Sequence, residues 1–366
     1  MMRVALLGAA NSIHLQRWAH GLVARGHTLC VLTQDRIDRA LLPQAAEVIA
    51  LPYGGASGYF ANAWHVRRFL RDWRPDILNA HYASGYGTTA ALAGAKPLLL
   101  SVWGSDVYDF PYQGLLQAML IRFNLRRATA IASTSRAMAN QVRRLVPGVG
   151  GITVTPFGVD LTLFSPRPMR DANWITLGIV KTLAPKYGVD LLLRAFAGLI
   201  SAELVRALPV PCRLLIVGDG PQRMELEALA NELGVAGRVF FSGAVAHPEV
   251  PDWLNRLDVY AAPSRSESFG VAVIEAGACG VPVVVSDVGG LPEVVLDGET
   301  GLVVQRESVS ALQAALARLV LDPALRTRLG ARGREHVSLV YDWPRCVDAM
   351  EAAYARTIAA HREAGH

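Results

Sequence analysis

"DVYAAPSRSESFGVAVIEAGACGVPVVVS", residues 258–286, decides the fold. It holds a short apolar run (DVYAAP, 258–263), a polar loop, a longer apolar stretch and a second β-rich run (VPVVVS, 281–286). Two strands joined through a helix form a parallel pair, because parallel neighbours need a long crossover. Strands that are apolar throughout, without alternation, are covered on both faces. The same pattern continues on either side. WITLGIV (174–180), CRLLIVG (212–218) and RVFFSG (238–243) come before it, and GLVVQ (301–305) follows.

The front half repeats the pattern with RVALLG (3–8), TLCVLT (28–33), DILNA (76–80), PLLLSV (97–102), TAIAS (129–133) and ITVTP (152–156). A helix over 13–25 ends where Gly26 suits a C-cap. Residues 157–173 carry two prolines and no period, which marks a linker. The fold class is therefore α/β, with two successive doubly wound Rossmann-like domains. The expected limits are 1–165 for an acceptor-side domain and 166–341 for a second domain. A helix over 342–366 is able to return to the first domain. Ligands of open α/β sheets bind beyond the carboxyl ends of the strands, so the expected site is the cleft between the two sheets.

Composition narrows the function classes. With 52% hydrophobic and 18% charged residues, the 366-residue chain is globular. Its four scattered cysteines (Cys30, Cys212, Cys279, Cys346) form no CxxC pair and suggest reduced, buried thiols. No signal segment or membrane span is legible, which points to the cytoplasm. Residues 1–165 carry 16 Arg/Lys against 8 Asp/Glu, a net of +8. Such a half can face an anionic lipid surface, a phosphorylated substrate or simply water. WHVRRFLRDWRP (64–75) and MLIRFNLRRATA (119–130) place aromatics and arginines on amphipathic helices, suited to peripheral membrane contact or to packing on their own sheet. Nucleic acid is not an expected partner, since no basic run or reader motif is present.

The loop in the opening stretch carries the chemistry. Glu267 precedes a helix start near Gly270, and Glu275 lies about a turn and a half into that helix. A helix start attracts phosphate through its unpaired N–H groups, whereas carboxylates accept well from sugar hydroxyls. A diphosphate flanked by polyols, a nucleotide sugar, satisfies both. The alternative gives Glu267 only an electrostatic role at the helix start and leaves Glu275 solvated. Of 36 basic residues only three are lysines, and two of them, Lys181 and Lys186, share the loop "KTLAPKYG" (181–188) after the first strand of the second domain. Compact ammonium charges there suit phosphate oxygens. IVGDGPQR (216–223) is a Gly-rich strand-to-helix turn with Arg223 where a dinucleotide fingerprint needs Gly, and no P-loop occurs. The absence of DxD and of metal-ligand spacing implies no metal cofactor.

In combination, Glu267-x7-Glu275, FGVDLTLFSP (157–166), the lysine loop, VGDGP (217–221), FSGAV (241–245) and SDVGGLPEVVLDGETGLVV (286–304) resemble the family 4 retaining glycosyltransferases of the GT-B fold. GAANSIHLQRWAHGLVARGH (8–27), NAHYASGYG (79–87) and SVWGSDVYDFP (101–111) resemble a bacterial subgroup of that family. The resemblance implies that Glu267 holds donor-sugar hydroxyls, Glu275 the ribose, and Lys186 the diphosphate together with the backbone of Ser268, Phe269, Gly270 and Val271. Lys181 stands where relatives more often have Arg, which keeps the charge and loses the fork. Gly218, Asp219, Gly243, Ala244 and Val245 line the donor side. Gly8, Asn11, Ser12, His14, Trp103 and Gly104 face the acceptor, with His81 and Asp106 beside the transferring sugar. Many relatives have His in place of Trp103, so no imidazole role transfers to it.

The implied reaction moves a sugar from a nucleoside diphosphate sugar to a glycan, lipid-linked or small-molecule hydroxyl, with retention and without metal, and closure of the domains limits hydrolysis. A nucleotide-sugar epimerase and a non-catalytic nucleotide-sugar-binding protein are the rival readings. For the residues outside these motifs, His20, His27 and His65 read as surface or helix positions, and Ser12 or Asn11 as an N-cap of the first helix.

Overall fold

The computed structural model describes residues 1–364. Its chain divides into two compact units: Met1–Phe157 together with the chain from Pro344 onward, and Gly158–Trp343. Residues 365–366 of the expected C-terminal helix lie outside the described residues.

The first unit contains seven parallel strands: β1 (Arg3–Leu7), β2 (Thr28–Thr33), β3 (Glu47–Ala50), β4 (Ile77–His81), β5 (Leu98–Val102), β6 (Ala130–Ser133) and β7 (Ile152–Val154). Their spatial order is β3-β2-β1-β4-β5-β6-β7. β4 and β5 are buried at every position, as strands covered on both faces must be. The order reverses between β1 and β4, so Gly8 and His81 emerge side by side at the switch point. β3 escapes the sequence reading because it is a short, half-exposed edge strand, EVIA, whose apolar residues number only three.

The second unit holds six parallel strands: β8 (Ile175–Val180), β9 (Cys212–Val217), β10 (Val239–Gly243), β11 (Val259–Ala262), β12 (Val283–Ser286) and β13 (Gly301–Val304). Their order, β10-β9-β8-β11-β12-β13, reverses between β8 and β11. The loops after those two strands are the lysine loop and the Glu267 loop.

The first unit ends before the expected limit of 165. Phe157 stacks on His14 with centroids 4.1 Å apart, within the first unit. Val159 pairs with Asp342, and buried Phe164 packs edge-on to His247, both within the second. The C-terminal helix Trp343–Ala364 completes the first unit. Its buried Tyr354 hydroxyl donates to Asn79 Oδ1 at 2.9 Å, and Asp348 pairs with Arg25. His27 is not at the surface. It is buried, its Nδ1 accepts from the Met2 amide at 3.1 Å, and its Nε2 lies 2.6 Å from Glu351. Since Nδ1 accepts, Nε2 carries the proton and donates to the carboxylate. All four cysteines are buried and free. Among the described residues no helix is long and apolar enough to cross a membrane.

Candidate active site

At the second sheet's switch point, Lys181 follows β8 and its amide donates to Val217 O at 2.9 Å. The turn after β9 presses against it. A Cβ on Gly218 would lie 2.0 Å from Lys181 O, and the residue has φ +135°, so only glycine fits. The Gly218 amide in turn donates to Gly243 O, at the end of β10. Three backbones thus converge beneath one side chain.

That side chain, the Lys181 ammonium, lies 2.7 Å from Glu267 Oε2 and 4.3 Å from the ring centre of Tyr187. Burial works against its charge, but Glu267, Tyr187 and Glu275 outweigh burial and hold the amine above its ordinary pKa. Lys186 approaches the same ring, 5.2 Å from its centre, with its own ammonium exposed. Its carbonyl accepts from the amides of Arg265 and Ser266, which ties the two loops together. Arg265 reinforces this with paired bonds of 2.8 and 2.7 Å to Asp190.

The helix in the opening stretch spans Val271–Ala278. Its N-cap, Gly270, has φ +106°, a left-handed conformation that turns the loop sharply into the helix. Ser268 donates its amide to Glu267 Oε1 at 3.2 Å. The Phe269 side chain is buried against Tyr341, so only its backbone belongs to the loop surface. Glu275 is buried, not solvated, and its Oε1 lies 3.3 Å from His247 Nε2. The turn after Gly243, Ala244 and Val245 delivers that histidine. Both glutamates act on the Lys181 ammonium, and both raise the pKa of the Tyr260 hydroxyl beyond what burial alone does. The two acids and the lysine therefore form one cluster. Asp219 stands apart: its Oδ1 accepts from the Gly220 amide and its Oδ2 faces Arg223, so it shapes its own turn.

Sequence reasoning missed Tyr187, His247 and the Arg265–Asp190 clamp. Tyr187 had a signal, since it directly follows Lys186. His247 had none, because its role depends on where the β10 loop lands.

In the first unit, His81 ends β4 fully buried, and neither ring nitrogen has a hydrogen-bond partner. Burial, with a smaller push from His14, lowers its pKa to about 3, so the imidazole is neutral. Its ring lies 5.0 Å from Trp103, whose ring is 5.6 Å from His14. A side chain on Gly8 would strike Leu15, 2.4 Å away, and approach His81. Gly8, His14, His81, Trp103 and Phe157 are thus one aromatic-rich cluster at the first switch point.

Asp106, expected beside the transferring sugar, is turned into the backbone. Its Oδ1 accepts from Trp103 and Gly104 amides at 3.1 and 2.8 Å, and its Oδ2 from Ala83 at 2.8 Å. It is fully buried with both oxygens engaged, and burial raises its pKa despite those amides. Its role is to fix the loop that carries Trp103 and Gly104. Ser12 occupies the N-cap of helix Ile13–Ala24, yet its side chain makes no capping bond, which removes the structural reason proposed for it. Asn11 is exposed beside it. Among the described residues no group of His, Cys, Asp and Glu could hold a metal ion.

Comparisons with known proteins bear on family and fold. The family described as Glycosyl transferases group 1 matches residues 169–336, and the one described as Glycosyl transferase 4-like matches 3–135. The chain is 32% identical over 277 residues to a GDP-mannose-dependent alpha-(1-6)-phosphatidylinositol monomannoside mannosyltransferase of Mycolicibacterium smegmatis, covering 70% of this chain and 69% of that one. It is 35% identical over 244 residues to a D-inositol 3-phosphate glycosyltransferase of Streptomyces avermitilis, covering 63% of this chain and 52% of that one. Among solved structures, sucrose-phosphate synthase from Thermosynechococcus elongatus superposes with a TM-score of 0.81 at 23% identity, over 98% of this chain and all of the other. Anabaena HepE in complex with UDP-glucose does so with 0.78 at 20% identity, over 98% of this chain and all of the other. The chain belongs to the group 1, family 4 glycosyltransferases, has their GT-B fold, and is a glycosyltransferase.

Proposed function

We propose that the protein transfers a sugar from a nucleoside diphosphate sugar to an acceptor hydroxyl, with retention at the anomeric carbon and without a divalent ion. The observation that carries this reading is the cluster at the second switch point: Glu267 and Lys181 paired at 2.7 Å, Lys186 5.2 Å from the centre of the Tyr187 ring, and Glu275 buried. The two carboxylates balance the two ammonium groups, and of the two lysines only Lys186 is exposed, so it is the cation that meets a diphosphate. Glu267 and Glu275 supply acceptors for hydroxyls of the sugar and the ribose, and His247 fixes the rotamer of Glu275. The GDP-mannose dependence named for the Mycolicibacterium relative supports a nucleotide-sugar donor, as does the UDP-glucose bound to HepE.

In the proposed step the bond from the anomeric carbon to the leaving phosphate oxygen breaks, and a bond to the acceptor oxygen forms on the same face. The leaving phosphate takes the acceptor's proton, so no protein nucleophile is needed. Charge growing on the diphosphate is stabilised by the lysine cluster. The testing experiment is a thermal-shift screen of UDP-, GDP-, ADP- and dTDP-sugars, since a ligand of the folded state raises Tm. The stabilising sugar is then assayed with a hydroxyl acceptor in EDTA. Unaltered turnover with an axial product from an axial donor supports the reading. Loss of activity in EDTA, restored by magnesium, refutes metal independence, and an inverted product refutes retention.

A further inference from the structure

The second unit holds a cavity of about 690 Å³ at the edge of its sheet opposite to the lysine and glutamate loops. Its walls come from chain ahead of three strands, with Arg170 before β8, Asn255 before β11 and Gly280 before β12, and from the helix Pro323–Val340. Parallel strands all begin at one edge, so the cavity lies at the amino edge, whereas the loops of the candidate active site leave the carboxyl edge. The helix Val271–Ala278 leads from one to the other. Glu275 lies on it, and its last carbonyl, Ala278 O, accepts from Arg334 Nη1 at the cavity. The volume is that of a small-molecule site, about 300–1,000 Å³, and exceeds the needs of an isolated ion.

Guanidiniums dominate the lining. Arg167, Arg170, Arg326 and Arg334 all contribute to it, and no Asp or Glu does. Two of the four are matched: Arg167 pairs with Asp252, and Arg170 Nε lies 3.9 Å from Asp258. The other two, both half-buried, are not. Arg326 donates through Nη1 to the carbonyls of Leu319 and Val320 at 2.6 and 2.8 Å. Like the Arg334 contact, these bonds satisfy carbonyls at a helix end. Among the described residues neither arginine forms an ion pair, and their Nε and Nη2 groups have no protein partner. Capping therefore uses one nitrogen of each and involves neither Arg167 nor Arg170. Four cations against two carboxylates leave two positive charges in excess around one space. Burial is the largest influence on Arg326 and pushes its pKa down; Asp258 pulls the other way, and Arg170 adds repulsion. Free guanidinium edges suit phosphate oxygens, which they hold through paired hydrogen bonds. Arg326 and Arg334 stand eight residues apart on one helix, a rise of about 12 Å, so an anion that meets both is elongated.

We propose that this cavity binds a small molecule bearing a chain of phosphates. The proposal goes beyond the glycosyl-transfer reading and does not depend on it. The test is isothermal titration of the full chain with inorganic tripolyphosphate at low ionic strength, in a Lys186→Ala background that lacks the exposed donor-site cation. One equivalent is expected to bind, and adding Arg326→Gln/Arg334→Gln should weaken Kd roughly tenfold or more, the value of hydrogen bonds to charged groups. A nucleoside triphosphate titrated in the same way separates a nucleotide from free polyphosphate, and tighter binding of either one supports the site. Because both arginines also cap helices, a second measurement uses the wild type alone. Phenylglyoxal modification, mapped by mass spectrometry, should be slowed by tripolyphosphate at Arg326 and Arg334 and unaltered at Arg36, which is exposed on the other unit. No binding of either phosphate chain, an equal Kd in the arginine variant, or equal modification rates with and without tripolyphosphate would overturn the proposal. So would citrate binding as tightly, since that would show a site for any anion.

Discussion

The Lys181 ammonium and the Glu267 carboxylate meet at 2.7 Å, although they stand 86 residues apart. The pair joins the loops after β8 and β11, the two strands between which the second sheet reverses. Removing either partner leaves a largely buried charge alone, so the single variants should each lose more than the pair is worth. Lys181→Ala and Glu267→Gln are each expected to lower kcat about 100-fold or more, on the scale of other groups that stabilise a transition state. The double variant should fall little further. Steady-state kinetics of the four proteins checks this, and additive losses would show that the residues act separately. Lys186→Ala, which removes the exposed cation, should depress kcat without lowering Tm.

Glu275 should behave differently. It is buried on the helix and held by His247, away from the scissile bond in the proposed pose. Glu275→Ala is expected to raise the donor KM by roughly 10- to 100-fold, the value of a hydrogen bond to a charged group. His247→Ala should raise it less, because the carboxylate remains. An unchanged KM in the Glu275 variant would remove this residue from the donor site.

His81 makes stability depend on pH. Its folded pKa is about 3, against an ordinary value near 6.5, so between those values the unfolded chain binds the extra proton. Stability is therefore lost as pH falls through that window, by about 1.4 kcal/mol per pH unit from this residue. Denaturant midpoints measured from pH 7 to 5 should fall more steeply for wild type than for His81→Phe. Parallel curves would mean that the imidazole takes up a proton in the folded state.

Tyr354 anchors the C-terminal helix. Tyr354→Phe would leave Asn79 Oδ1 buried without its donor, which should cost about 1–3 kcal/mol. Urea melts would register this as a lower midpoint, and an unchanged midpoint would mean that this hydrogen bond adds nothing to the hold on the helix.

How far the sequence was legible follows from what each feature depends on. Buried parallel strands announce themselves as unbroken apolar runs, and all six of the second unit were readable that way. β3 was not, because its four residues include only three apolar ones and none of them is fully buried. Glu267, Glu275, Lys181 and Lys186 were legible as unlike charges placed after strand ends. Their partners Tyr187 and His247 were not, since loop conformation decides which side chains meet. Asp106 illustrates the opposite failure: an acid after a strand looks chemical until its oxygens are found occupied by three backbone amides. Periodicity marked the helix around 119–130 as amphipathic, but periodicity says nothing of which apolar face finds a neighbour.

The return of the C-terminal helix to the first unit sets an order of events during synthesis. The amino-terminal half leaves the ribosome first, yet the side chains that cover His27, Arg25 and Asn79 arrive only after the whole of Gly158–Trp343 has been translated. The first unit is therefore finished only after the second has been made, and a chain cut before Pro344 would hold an unsealed first unit rather than a working half.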